Sequence, residues 1–578
     1  MRLRIVFYFI AIVINSASGK VFNIPLDPSG NITLHWLPDY PDEKVSFEIH
    51  FRTESPRQWL ALGFSNYGEI TPADYCLYWV DWKGNPHLTD TWSDESGKIH
   101  EDDLQNCANF KIANHGEIIK FSFSRKFDTC DEEDYLIEDG TTHVVWAVGE
   151  GPLYRVNGLN IATGKNGFQR TQLLKALLPE PDFPADARAL HFTSDRAKVP
   201  ADETTYWCTI HLLPKALQEK KHHVLQFGAA IQDGNEPLVH HMELFHCELP
   251  AKQKVPSYQG PCFAKDKPPI LEHCKRVLSA WAMGAQPFDY PQEAGLPIGG
   301  PDFNPYVMLE VHYNNPELKS DWVDSSGIKI LVTPTLRPLD AGVMELGLEY
   351  IDKMAIPPMQ PSFTLSGYCI SECTAVSLQQ DGIVIFASQL HTHLTGTRVE
   401  TRHIRDGREL PLLNQDRHYS THFQEIRKLK RPVRVLPGDA LITTCYYNTK
   451  DRKNITLGGF SISDEMCVNY VHYYPKSRLE VCKSAISYES LWDYFRFMRD
   501  WDGQSKIEPQ GAISKNYGSI RWTPARANVL HQMYLESPLS MQCNQSNGER
   551  FPGEWENSPL TNILYPLPPK PRPACETG

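Results

Sequence analysis

Long apolar spans are what this sequence most obviously lacks. Beyond its first residues, no hydrophobic run comes near the ~20 positions that a membrane-crossing helix requires, and the C-terminal stretch LYPLPPKPRPACETG is proline-rich and polar. Basic residues are scarce as well. With 57 Lys and Arg against 70 Asp and Glu, the net charge is -13, which leaves no footprint for nucleic acid or an anionic membrane surface. The motifs HExxH, GxSxG, GxxxxGK[ST] and GxGxxG are all missing, so peptidase, serine-hydrolase and nucleotide chemistries have no foothold. No C-x2-C pair occurs, the nearest cysteines being Cys369 and Cys373, and this argues against structural zinc. Helical periodicity is scarce before LWDYFRFMRDW at 491–501, and no repeat of solenoid period is found.

What is present fits a secreted globular protein. The opening MRLRIVFYFIAIVINSASGK has a basic start, an apolar run from Ile5 to Ile14 and small residues before Lys20, the layout of a secretory signal cleaved near Gly19. Fourteen cysteines, an even number, suit an oxidising compartment in which thiols pair. Sequons at Asn31, Asn454 and Asn544 fit the same route. The expected location is the secretory pathway, secreted or lumenal in endoplasmic reticulum or vesicle, with membrane association not expected.

At 578 residues the chain exceeds one core and predicts three or four units. From about residue 24 to 150 the text is short strand-like runs such as VSFEIHF, WLALGFS and THVVWAV between Pro, Gly, Asp and Asn, which predicts an antiparallel sandwich. PEPDFPADARALHFTSDRAKVP reads as a linker. Two further strand-rich blocks follow, one with TYWCTIHLL, LVHHMELFHC and YVMLEVHY, the other with GIVIFASQLHTHLTG and MCVNYVHYYP. The predicted fold class is all-β, with three β-sandwich units and an irregular, disulfide-tied C-terminal extension. The boundaries are a signal peptide at 1–19, a first sandwich at 20–178, a linker at 179–200, sandwiches at 201–334 and 335–500, and the extension at 501–578.

The candidate chemistry lies in histidines on apolar strands. In PLVHHMELFHC, His240 and His241 are adjacent, yet successive side chains of a regular strand point to opposite faces. Both can face one ion only if the strand bulges. A second adjacent pair, His222 and His223, is flanked by lysines and glutamate and reads as a solvated strand entrance. In QLHTHLTG, His391 and His393 are two residues apart in a predicted strand and are expected to share a face, a natural chelate span. His312 in VMLEVHYNNP and Met466 in SISDEMCVNYVHYYP complete the set. Methionine sulfur is soft and suits Cu(I), while imidazole serves both copper states. The combination points to redox copper and away from a zinc hydrolase.

Taken together, TTYWC at 204–208, VHHMELFHC at 239–247, LEVHYNNP at 309–316, QLHTHLTG at 389–396, LPGDALITTCYYNT at 436–449 and DEMCVNY at 464–470 resemble the copper type II, ascorbate-dependent monooxygenases. The N-terminal block, with WLALGFS, ADYCLYWVDW and LTDTWS, resembles the DOMON module that precedes the core in the amine-hydroxylating, dopamine β-hydroxylase-like (DBH-like) branch. The resemblance implies two jelly-roll-like copper domains after a DOMON sandwich. It implies two copper ions per chain, with His240, His241 and His312 holding the one that takes electrons from ascorbate and His391, His393 and Met466 holding the one where O2 and substrate meet. Tyr206 and His391 take the active-site roles. The implied reaction hydroxylates a C–H bond of a small phenylethylamine-like substrate, an aromatic amine.

The same resemblance implies disulfides joining Cys208 to Cys262, Cys247 to Cys274, Cys445 to Cys467, Cys369 to Cys482, Cys373 to Cys543 and Cys130 to Cys575. Cys76 and Cys107 remain and are expected to pair within the DOMON module. The alternative reading is a secreted, catalytically inactive binding protein with a DOMON ligand-binding module.

Overall fold

The structure is a computed structural model that describes residues 21–568, except positions 28, 54, 178, 180, 284, 316 and 546, together with Cys575. The predicted signal segment lies outside the described residues. The chain divides into two compact units, Met1–Leu177 with Lys570–Gly578, and Leu178–Pro569. Among the described residues, no helix is long and apolar enough to cross a membrane.

In the first unit, strands Ile32–Asp39 and Lys44–Arg52 bury every second residue, as one-faced packing requires. They belong to a five-stranded sheet that faces a six-stranded one across a core containing Trp36, Phe47, Phe64, Phe121 and Trp146. Strand Trp59–Ser65 is buried along its whole length, because a second apolar cluster around Trp59, Tyr75 and Ile161 covers its other face.

Two turns in this unit repeat one pattern, Trp-x-Asp-x-x-Gly-x-x-His, at Trp79–His87 and Trp92–His100. Asp81 and Asp94 accept turn N–H groups, and Gly84 and Gly97 take the φ values of 91° and 84° that favour glycine. His87 and His100 return to those carboxylates at 3.2 and 2.9 Å while stacking on Trp79 and Trp92.

The second unit holds two further pairs of sheets. In the first pair, a five-stranded sheet runs in the order Gln259–Pro261, Thr204–Leu212, Tyr306–Asn314, Val239–Cys247, Cys274–Ala282. In the second pair, a six-stranded sheet runs Arg427–Val435, Ile383–His391, Val468–Tyr474, Gly342–Leu348, Leu479–Ile486, Leu539–Gln545. An aromatic cluster joins the two, with Phe288 lying 4.8 Å from Phe227, 5.3 Å from Tyr290, 6.1 Å from Phe386 and 5.3 Å from His472. Arg276 adds an ion pair to Glu480 at 2.8 Å. The two halves therefore pack against each other through this cluster, which draws Phe386 and Ala387 into the core of the first half.

All seven expected disulfides are formed: Cys76–Cys107, Cys130–Cys575, Cys208–Cys262, Cys247–Cys274, Cys369–Cys482, Cys373–Cys543 and Cys445–Cys467. The C-terminal extension is more ordered than its composition suggests. Within it, helices Ile513–Ser519 and Pro524–Glu536 precede strand Leu539–Gln545, whose pairing with Leu479–Ile486 makes it an edge of the sheet.

His222 and His223 depart from the sequence reading. Both are buried, because Asp340, more than a hundred residues away in the chain, accepts from His223 at 2.8 Å and Lys220 O takes His222 Nδ1. The flanking lysines are poor guides here, since Lys221 turns back onto the same Asp340.

Candidate metal centre

The adjacent histidines lie on a bulge. Val239 pairs with Tyr313 while His241 pairs with His312, so His240 is the inserted residue between two consecutive partners. Its carbonyl is still used, accepting from Met283 N at 2.9 Å. The inserted residue rotates one side chain toward the face its neighbour already occupies.

Three Nδ1 atoms consequently converge. His241 Nδ1 lies 3.1 Å from His240 Nδ1 and 3.0 Å from His312 Nδ1. Burial depresses the basicity of His241 well below normal and that of His312 to about 3, with the neighbouring histidines adding to it, so these two rings stay neutral. Their Nδ1 atoms face one another, and His312 Nε2 is buried without a hydrogen-bond partner. A cation held by the three Nδ1 lone pairs fits this arrangement. A spacing near 3 Å is also what two metal–nitrogen bonds of ~2.0 Å leave when they meet at roughly a right angle.

Tyr206 pairs with His312 across the strands and stacks on its ring, with centroids 4.5 Å apart and planes 5° from parallel. Burial, followed by Glu310 and Glu243, raises its phenol to about 12, so it remains protonated. Glu243 and Glu310 sit directly opposite each other one pleat beyond the trio. Burial pushes their carboxyls up to about 8 and about 7.

His391 and His393 are arranged differently from the sequence expectation. The strand Ile383–His391 ends at His391, so strand alternation does not set the position of His393. Hydrogen bonds do. His393 N donates to Glu465 Oε2 at 2.8 Å and His393 Nδ1 meets Asp464 O at 3.1 Å. His391 Nδ1 is held by Gln424 Oε1 at 2.5 Å. Both rings thus spend Nδ1 on a protein acceptor and keep Nε2 for a ligand, the arrangement in which outer partners fix tautomer and ring orientation. Their centroids are 5.3 Å apart with planes at 86°. Burial, then His393, lowers His391 to about 4.

Met466 is buried and its backbone is pinned on both sides. Tyr447 OH donates to Met466 O at 2.7 Å, Met466 N donates to Glu465 Oε2 at 3.2 Å, and the next residue, Cys467, is bridged to Cys445. The register that pairs His391 with Val468 brings residues 464–466 alongside the histidines.

Gln424 and Glu465 escape the sequence analysis. Glu465 carried a signal, an acid beside a methionine just ahead of the strand Val468–Tyr474, whereas Gln424 carried none. Gln424→Leu is expected to weaken metal binding at the His391 site by roughly 10- to 100-fold and to affect the His240 site less. Metal titration followed by spectroscopy reads both sites; equal loss at both, or at neither, would contradict the assignment.

Three family models match the chain: the DOMON domain over residues 28–149, and the N-terminal and C-terminal domains of copper type II ascorbate-dependent monooxygenase over residues 190–320 and 339–495. The chain is 44% identical over 578 residues to dopamine beta-hydroxylase of Homo sapiens, covering 99% of this chain and 92% of that one. The chain belongs to the copper type II ascorbate-dependent monooxygenases. It is also 39% identical to tyramine beta-hydroxylase of Caenorhabditis briggsae, over 90% of this chain and 87% of that one. Identity to DBH-like monooxygenase protein 1 of Homo sapiens is 32%, over 93% of this chain and 87% of that one.

As a copper type II monooxygenase the chain uses two copper ions, ascorbate as electron donor and O2 as co-substrate. Each turnover takes two electrons and two protons, places one oxygen atom in a C–H bond and releases the other as water. The reading as an inactive secreted binding protein is not favoured, given this near full-length similarity to hydroxylases. Each matched copper domain contains one of the two side-chain groups described above.

Proposed function

We propose that this monooxygenase hydroxylates a phenylethylamine-type aromatic amine, with His240, His241 and His312 holding one copper and His391, His393 and Met466 the other. The similarity to dopamine and tyramine hydroxylases at 44% and 39% identity carries the substrate class. The convergence of three Nδ1 atoms carries the first ligand set, and the two rings with Nε2 left over, beside a buried thioether, carry the second. When bound, copper supplies one-electron storage at the first site and O2 reduction at the second.

The protein's own groups do the rest. Gln424 and Asp464 O orient the second pair of rings, and Tyr206 holds the face of His312. An ammonium wants a carboxylate or an aromatic face, and Tyr206 and Tyr470 offer the second, Tyr470 lying 6.0 Å from the His391 ring. The domain boundaries given by the sequence and a secretory-pathway location, with a cleaved leader, belong to the same proposal. The seven disulfides support an oxidising compartment.

The test is a screen of copper-loaded protein with ascorbate and O2 against tyramine, dopamine, an aliphatic amine of similar length and phenylethanol. Hydroxylation confined to the aromatic amines supports the reading. Equal turnover of phenylethanol would remove the ammonium requirement. A pH series gives a second check. A neutral imidazole is the ligand form, and its folded-state pKa is depressed at His312 and His391 to about 3 and about 4. Protons therefore begin to compete with copper only well below the ordinary histidine value near 6.5. Copper content is expected to hold at about pH 5 and to fall as pH approaches about 4; release centred near 6.5 would contradict this.

A further inference from the structure

The segment Tyr419–Glu425 belongs to the half of the second unit that carries His391, yet its tip reaches the other group of histidines. Tyr419 and Phe423 are buried anchors, and Tyr419 OH accepts from Thr392 N at 2.9 Å. Gln389 Nε2 donates to Gln424 O at 2.8 Å, while Gln424 itself holds His391 and donates back to Thr421 O at 2.7 Å. Between these anchors His422 meets the His240 ring edge to face, with centroids 5.9 Å apart and planes at 87°.

One short loop thus touches a ring of each metal group, two residues apart: His422 on His240, and Gln424 on His391. His240 is the inserted residue of a bulge, and a bulged residue is left without regular pairing in the ladder. Packing from outside its own strand can supply that constraint.

We propose that His422 is a positioning residue for the first copper site, and that Tyr419–Glu425 is a strap that holds the two sites in mutual register. The role is steric, since an aromatic edge placed against the His240 ring keeps that imidazole turned toward its partners. The proposal rests on reading His240, His241 and His312 as copper ligands. In turnover, both electrons must reach the site where O2 is reduced. With the strap loosened, O2 can take two electrons and two protons to leave as hydrogen peroxide, with no C–H bond broken.

The experiment compares the full-length disulfide-bonded protein with His422→Ala and His422→Phe. Copper affinity is titrated site by site, Cu(II) electron paramagnetic resonance is recorded, and product is counted per ascorbate consumed. His422→Ala is expected to weaken one site by about 10-fold, alter its resonance signal and lower the product-to-ascorbate ratio as peroxide appears. His422→Phe, which keeps the ring edge and removes the nitrogens, is expected to restore all three. An unchanged first-site signal and ratio in His422→Ala would overturn the proposal, and so would a His422→Phe protein that behaves like His422→Ala. If the unsubstituted protein binds no copper at His240, the ligand reading fails instead, a result distinct from either.

Discussion

Met466→His is expected to retain about two coppers per chain while losing hydroxylation by at least ~10-fold. Imidazole is a competent copper ligand, so the site stays filled. What changes is its preference. A thioether is soft and favours Cu(I), the state that reacts with O2, whereas a third imidazole serves Cu(II) equally well. The backbone at this position is clamped by Tyr447, Glu465 and the Cys445–Cys467 bridge, so a new side chain is presented from the same place. Copper content and ascorbate-dependent turnover measured on one preparation separate the two effects. Unchanged turnover would refute the role given to the sulfur.

The second large effect is expected at Glu465. This fully buried carboxylate accepts from His393 N, Thr395 N, Thr395 Oγ1 and Met466 N, at 2.8, 2.6, 2.6 and 3.2 Å. Burial raises its pKa despite those donors. Its four bonds fix the backbone of one proposed ligand at each end of the site. Glu465→Ala strands those donors in a dry interior, where each lost partner costs about 1–3 kcal/mol. A total loss of roughly 3–5 kcal/mol is expected, together with loss of copper from the His391 site alone. Denaturant unfolding of the metal-free protein measures the first and metal analysis the second. A loss under ~1 kcal/mol would mean that the loop is held by something else.

Features governed by local pattern were legible in the sequence. The alternation of apolar residues gave the strands, and the adjacency of His240 and His241 required the bulge that is found between the partners Tyr313 and His312. Six disulfide pairs followed from the resemblance and the seventh, Cys76–Cys107, from the two cysteines left over, and all are formed. Features set by distant partners were not legible. Gln424 is 33 residues from the ring it holds and Glu465 is 72 from His393, and no periodicity links them. The spacing of His391 and His393 suggested a shared strand face, yet the strand stops at His391 and acceptors from residues 464–465 place the second ring. The flanks of His222 and His223 suggested solvent, yet both are buried, His223 against the distant carboxylate of Asp340. In each case a tertiary partner overrode local composition, as it commonly does for polar groups in a core.

The measurement that bears most directly on two separate copper sites is metal content per chain, by elemental mass spectrometry after copper loading and dialysis, on three proteins. The unsubstituted protein is expected to hold about two coppers, and His240→Ala and His391→Ala about one each, from opposite sites. Two coppers retained in both variants, or zinc retained in place of copper, would contradict the account.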